Sequence, residues 1–416
     1  MINKKALLFS LLHFLLVIIA YVVLFSVGIV NKVPNNMNLL HWDAEWFDSI
    51  RLNGYMFVYG QMNNLAFFPL FPYFWKYTAL DPMGISVVNG VLFTISFAIL
   101  MSRTIVPTGM YFFILSIASF IFFALPYSES LFFLFSVFIL VGYDKENNYL
   151  KIIGFLGASL VRSASMIFVI AILICAIIPD NKDSKRRDSY IYNLISSFLG
   201  VLVVSFIQYS QTGKWFYFID VQKFWGRSWS LPQFPLTTTF PERTLNIDGI
   251  AFTVGLIAIF YTIKWFFDFI CSFKKLGSGN FTVNKSVAFS ALFISGVTIL
   301  DVCFTFKLNN ASNIWSINRH ILCTPFAIVF LGWLYNYSIK NRAELYFLFF
   351  SILSGIYLTG LYQYPNHALH YVVFFSSFLL LKYYYSLSIY LIPIYIFNII
   401  IQILFYEDFI KNLWIG

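Results

Sequence analysis

Two carboxylates, Asp43 and Glu45, stand among aromatics in the run His41-Trp42-Asp43-Ala44-Glu45-Trp46-Phe47-Asp48. Only 11% of the 416 residues are charged, so acids between two tryptophans call for a reason. Tryptophan partitions to a membrane–water boundary on its own account. A carboxylate does not, and general-base chemistry on a hydroxyl is one use that justifies placing it there. The competing explanation for Asp43 is a helix N-cap ahead of Ala44-Glu45-Trp46-Phe47.

Further chemistry-bearing residues recur along the chain. In Pro126-Tyr127-Ser128-Glu129-Ser130 the proline ends one helix and Ser128 suits the cap of the next, while Glu129 places a carboxylate at the mouth of an apolar hairpin. Arg162 lies between Val161 and Ser163, far from any basic cluster. A lone intramembrane arginine pairs with an anion, here either Glu129 or Asp301, or with a phosphate, which its guanidinium fork matches. Gln222-Lys223-Phe224-Trp225-Gly226-Arg227 and Asn318-Arg319-His320 are either interface anchors or, with Lys307, a cationic outer pocket able to stabilise a departing phosphate. Asp301 falls within a span and its role stays open.

These residues need elements to hold them. With 60% hydrophobic residues and a mean hydropathy of +0.77, the composition excludes a soluble domain. Apolar runs of about 20 residues, each enough to cross a bilayer, follow one another. The expectation is an all-α polytopic membrane protein, one domain over residues 1–416. The net charge of +9 does not point to nucleic acid, because the basic residues sit where the positive-inside rule places them. These are Lys4 with Lys5, Lys145 with Lys151, 182–187, Lys274 with Lys275, and Lys340 with Arg342. That alternation puts the N-terminus in the cytoplasm. The run 6–30 is too long for a signal peptide and lacks its cleavage site.

Spans are expected near 84–102, 105–125, 129–142, 190–209, 249–272, 286–306, 319–338, 344–362, 367–384 and 388–405. The segment 150–178, basic on both flanks, reads as two half-helices meeting at Arg162 in a protein-lined or wet place. Residues 31–81 and 210–248 form two outer loops, the first with a short interfacial or re-entrant piece at Phe67-Phe68-Pro69-Leu70-Phe71-Pro72. Asp43, Glu129, Arg162, Arg227, Arg319 and His320 then share the extracytoplasmic face. Cys175, Cys271, Cys303 and Cys323 show neither metal nor disulfide spacing and read as small buried hydrophobes. No phosphate-binding glycine loop or dinucleotide fingerprint is present.

In order along the chain, His41-Trp42-Asp43-Ala44, Gly54-Tyr55, Ala66-Phe67-Phe68-Pro69-Leu70-Phe71-Pro72, Pro126-Tyr127-Ser128-Glu129-Ser130, Arg162-Ser163, Gln222 with Trp225-Gly226-Arg227, and Asn318-Arg319-His320 resemble the GPI mannosyltransferase 2 (PIG-V-like) family and its bacterial relatives. The resemblance covers residue 41 to about 325. It implies a GT-C-type bundle of about 11–13 transmembrane helices with extracytoplasmic loops carrying the active site. It further implies transfer of a hexose, usually mannose, from a polyprenyl-phosphate donor to a hydroxyl of a lipid or glycan acceptor, with inversion. Asp43 is the implied catalytic base, and no metal or other cofactor is implied. Arg162, Arg227 and Arg319 are the candidates for the donor phosphate. His41, Trp42, Glu45, Tyr127, Glu129, Gln222, Trp225 and His320 are the candidates for sugar or acceptor. Two departures, Ala164-Ser165 after Ser163 where Asn-Gly is commoner and His320 where Tyr is commoner, bear on sugar and acceptor rather than on the reaction class. The richness in Ile, Phe, Asn and Lys suits an AT-rich bacterial genome and hence a bacterial cytoplasmic membrane; in a eukaryote it would be the endoplasmic reticulum. The rival expectation is a transporter or flippase of lipid-linked glycans, which should carry matched pairs of broken helices.

Overall fold

The computed structural model describes residues 2–104, 106–178, 187–274, 283–308, 310–339, 342–385, 389 and 391–416. Of the expected basic clusters, residues 182–186, Lys275 and Lys340 lie outside them. The described residues form helices α1 (Lys4–Ser26), α2 (Asp43–Asn53), α3 (Leu70–Thr78), α4 (Pro82–Leu100), α5 (Thr108–Leu115), α6 (Glu129–Asp144), α7 (Asn148–Val161), α8 (Ile167–Ile177), α9 (Arg187–Thr212), α10 (Tyr217–Asp220), α11 (Pro241–Lys274), α12 (Lys285–Cys303), α13 (Ile317–Ile321), α14 (Pro325–Asn336), α15 (Arg342–Leu358), α16 (Pro365–Tyr383) and α17 (Leu391–Ile410). Side-chain caps set several starts. Asn3 accepts from the Ala6 amide at 3.1 Å, Asp81 from Gly84 at 2.7 Å and Asn147 from Leu150 at 3.0 Å, each satisfying an amide that the first turn leaves open.

Among the described residues, six helices are long and apolar enough to cross a membrane: α1, α4, residues 189–212 of α9, residues 241–271 of α11, α12 and α17. Fewer continuous spans are present than the apolar runs suggested, because several runs are broken. The run 105–125 is not one helix. It comprises α5 and a 3₁₀ turn, Ala118–Ala124, which meets α6 at 102°. Pro126, with its fixed φ and missing amide hydrogen, sits at that corner.

Carbonyls freed at such breaks need partners in an apolar interior, and distant amides supply them. Gln402 on α17 donates to the Leu115 and Ile117 carbonyls at 2.9 and 2.8 Å, and Asn398 donates to Ser116 Oγ at 3.2 Å. Asn89 on α4 donates to the Leu125 and Tyr127 carbonyls at 2.6 and 2.9 Å. The run 150–178 is likewise broken at Arg162, which ends α7 in extended conformation before a 3₁₀ turn and α8. Phe67 to Pro72 leads into the short helix α3.

Outside the helices, β1 (Ser228–Trp229) pairs antiparallel with β2 (Phe304–Thr305), and β3 (Lys307–Leu308) with β4 (Ala311–Ser312). The β1–β2 ladder ties the 210–248 segment to the end of α12. Helices α6 and α7 pack closely because Gly154 and Gly157 present no side chain to Ile139 and Phe135; a Cβ at Gly157 would lie 2.2 Å from the Phe135 ring. Apolar side chains of α1, including Leu8, Leu11, Leu15, Ile18 and Val22, remain exposed, as do Phe198 and Phe206 on α9 and Phe349 and Phe350 on α15. Exposed apolar surface on that scale belongs against lipid tails. Cys175 and Cys323 are buried and Cys303 is half-buried, but Cys271 is exposed, a departure from the buried expectation.

Candidate functional site

Asp43 opens α2, but not as its cap. The cap position is Trp42, at φ 56° and ψ −123°. A tryptophan in that region carries strain of about 1–3 kcal/mol, which persists where surrounding contacts enforce it. The Asp43 carboxylate turns instead to Arg319, with Oδ2 2.7 Å from Nη2. Arg319 enters α13 through another left-handed residue, Ser316 at φ 65°.

Arg319 is almost fully buried and spends all three of its nitrogens. Nε and Nη2 each lie 2.7 Å from Glu129 Oε1, and Nη1 donates to the Gly416 carbonyl at 3.1 Å. Its guanidinium lies against the Phe122 and Tyr127 rings, which stack on one another, 4.9 and 4.6 Å from their centroids. Glu129, wholly buried at the start of α6, also accepts from Arg162 Nη1 at 2.9 Å. Of the two carboxylates open to Arg162 in sequence, Glu129 is the one it takes.

The result is a chain, Asp43–Arg319–Glu129–Arg162, of two carboxylates and two guanidinium groups. It joins the first long loop, the α6 corner, the α7 break and α13. Its formal charges cancel, as burial requires. Exposure falls unevenly along it. Glu129 is sealed, whereas the Asp43 side chain keeps 23% of its surface open. A carboxylate fixed on one side and open on the other can accept a proton from a ligand hydroxyl.

Arg227 lies 5.7 Å from the Trp315 ring centroid. Burial lowers its pKa, and the nearby Asp301 and Asp43 carboxylates oppose that shift. No carboxylate among the described residues lies within ion-pair distance of it. His320 pairs with Asp301 through Nδ1 and Oδ2 at 2.8 Å, which gives that buried acid its partner. Lys307 is exposed on β3, so it does not join the buried group.

The remaining candidates are more dispersed. His41 sits at 6.0 Å from Phe409, with burial lowering its pKa, so it is neutral near pH 7. Glu45 is exposed. Gln222 donates to the Phe218 carbonyl at 3.3 Å within its own turn. Trp225 packs edge-on against Trp46 and Phe67, at 5.6 and 6.1 Å. Among the described residues, no three His, Cys, Asp or Glu side chains gather as metal ligands.

Sequence reasoning missed the segment that follows α17. Trp414 stacks on Trp315 and meets Trp42 edge-on, both at 4.9 Å, and Gly416 reaches Arg319. It also missed Asp248, fully buried on α11, whose Oδ1 accepts from the Asn318 amide nitrogen at 3.2 Å and Nδ2 at 2.6 Å. That contact orients the residue next to Arg319.

The fold and this buried charge chain define a helical membrane protein with a polar site at one end of its bundle. No family model, no curated protein and no solved structure matches the chain.

Proposed function

We propose that the protein is an integral-membrane glycosyltransferase. It transfers a hexose, mannose in the first instance, from a polyprenyl-phosphate donor to a hydroxyl of a lipid or glycan acceptor at the extracytoplasmic face. The shorter apolar helices count as crossings in this proposal, completing a GT-C-type bundle of about 11–13 spans. The observation that carries it is the half-open Asp43 carboxylate, held 2.7 Å from the buried Arg319. Asp43 takes the proton of the acceptor hydroxyl as its oxygen bonds to the anomeric carbon. The bond from that carbon to the donor phosphate breaks, the phosphate leaves with the electron pair, and configuration inverts. Arg227, which pairs with no carboxylate among the described residues, is the first candidate to receive the leaving charge.

The test uses purified protein in detergent, radiolabelled polyprenyl-phosphate mannose and a membrane extract as acceptor source. Wild type should release labelled sugar to the acceptor and Asp43→Asn should not, while eluting as the same monodisperse species. Full transfer by Asp43→Asn would sink the base assignment.

A flippase for lipid-linked glycans is the second reading. One observation favours it: the breaks at Pro126 and Arg162 face each other through the Glu129–Arg162 pair, as paired broken helices do in transporters. Lipid movement across proteoliposomes by wild type and Asp43→Asn alike, with no sugar transfer, would select it.

A further inference from the structure

Trp42, Trp315 and Trp414 come from three distant parts of the chain and form one aromatic group. All three indole Nε1 atoms are buried without a hydrogen-bond partner. An indole N–H is a donor only, and three buried donors left unmatched in one cluster require an explanation. Chain neighbours of the group reach Arg319: Asp43, next to Trp42, pairs with its Nη2, and the carbonyl of Gly416, two residues after Trp414, holds its Nη1. Flat apolar ring faces, N–H donors at their edges and a guanidinium beside them match the chemistry of a glycosyl phosphate. A sugar ring stacks its C–H face on an aromatic and offers hydroxyls at its rim, and a phosphate oxygen accepts from arginine.

Residues 413–416 follow the end of α17 without regular structure, after Asn412 at φ 64°. The Trp414 ring lies on Trp315 at an interplanar angle of 24°, as a sugar face would. The Gly416 carbonyl sits on Arg319 as a phosphate oxygen would.

We infer that the space between Trp42, Trp315 and Arg319 is a subsite for the sugar-phosphate head of a lipid, and that residues 413–416 occupy it in this state. The identity of the head rests on the glycosyl-transfer proposal; the occupancy does not. A ligand entering the subsite displaces Trp414 and takes over the Arg319 donor.

Binding, not turnover, is the test. The probes are a short-chain polyprenyl-phosphate mannose and the same polyprenyl phosphate without sugar, titrated into detergent-purified protein with labelled lipid. Trp414→Ala removes the stacked ring. Gly416→Leu acts independently, because its Cβ would lie 3.0 Å from Asn318 Nδ2 and 3.1 Å from Phe122 Cζ, pushing the carbonyl off Arg319. Both should tighten binding of both lipids by about tenfold, since displacement no longer opposes it. Trp315→Ala should weaken the mannosylated lipid alone, and Trp315→Phe should restore it.

Unchanged affinity in both tail variants, or weaker binding in Trp414→Ala, overturns the occupied-site assignment. Equal weakening of both lipids in Trp315→Ala overturns the sugar platform, and binding of neither lipid by any form overturns the subsite. Tighter binding without sugar transfer leaves the subsite standing while sinking the glycosyltransferase. Transfer by wild type with unaltered tail variants does the reverse.

Discussion

Asp43 and Glu129 share one arginine yet differ in what they tolerate. Glu129 is wholly buried and neutralises Arg162 and Arg319 together. Glu129→Gln therefore leaves the buried Arg319 and the partly buried Arg162 short of charge. Removing one partner of a buried pair costs about 3–5 kcal/mol, so this variant should lose much of its folded yield and melt well below wild type in a detergent thermal-shift assay. Asp43→Asn keeps an oxygen for Arg319 at a half-open position, and its melting temperature should move far less while transfer is lost. A melting temperature for Glu129→Gln equal to wild type would mean that the chain of charges does not hold the site. Acids and arginines were visible in the sequence as kinds of residue at a boundary, because charge is rare here. Their pairing was not, since Glu129 and Arg319 stand 190 residues apart. Trp315 and Trp414 were missed for a different reason: a tryptophan near a span end looks like any interfacial anchor until its neighbours are known.

At the scale of elements, the breaks matter more than the helices. Proline and a lone arginine are local signals, so the corner at Pro126 and the break at Arg162 were legible. The stitching was not, because Asn89, Asn398 and Gln402 act across 36 to 287 residues of sequence. Asn89→Leu keeps the branched outline and heavy-atom count of the side chain and removes the donor to the Leu125 and Tyr127 carbonyls. Leaving a buried polar group unmatched costs about 1–3 kcal/mol. The corner also carries Tyr127 and Glu129, so Asn89→Leu should lower stability and transfer together, whereas Asn398→Leu, at the break after α5, should lower stability alone. Equal losses of transfer in the two, at matched stability, would deny the corner its positioning role. Gly157→Leu probes the α6–α7 contact that sets Glu129 against Arg162; with Phe135 so close, it should abolish folded protein on gel filtration.

Across the whole molecule the two ends of the bundle differ in kind. One end holds Asp43, Glu129, Arg162, Arg227 and Arg319 with both long loops. The other gathers lysines that close helix ends. Lys382 donates to the Leu334, Tyr335 and Tyr337 carbonyls at 2.9, 2.8 and 2.6 Å, and Lys285 to the Cys175 and Ile178 carbonyls at 2.7 and 2.5 Å. Both satisfy last-turn carbonyls and the negative end of the helix dipole. Lys4, Lys5 and Lys151 lie at the same end, through Asn3 against α4 and Lys151 against Ser189. We propose that the lysine-bearing end faces the cytoplasm, as the positive-inside rule expects. Tyr59, 84% exposed in the first long loop, and Tyr149, 80% exposed at the start of α7, mark the two ends. With Cys271 and Cys303 replaced by serine, Tyr59→Cys should react with a membrane-impermeant maleimide in intact cells, and Tyr149→Cys only after permeabilisation. The reverse pattern would place the Asp43 site in the cytoplasm, where soluble nucleotide sugars are the ready donors, and the case for a lipid-phosphate donor would fall with it.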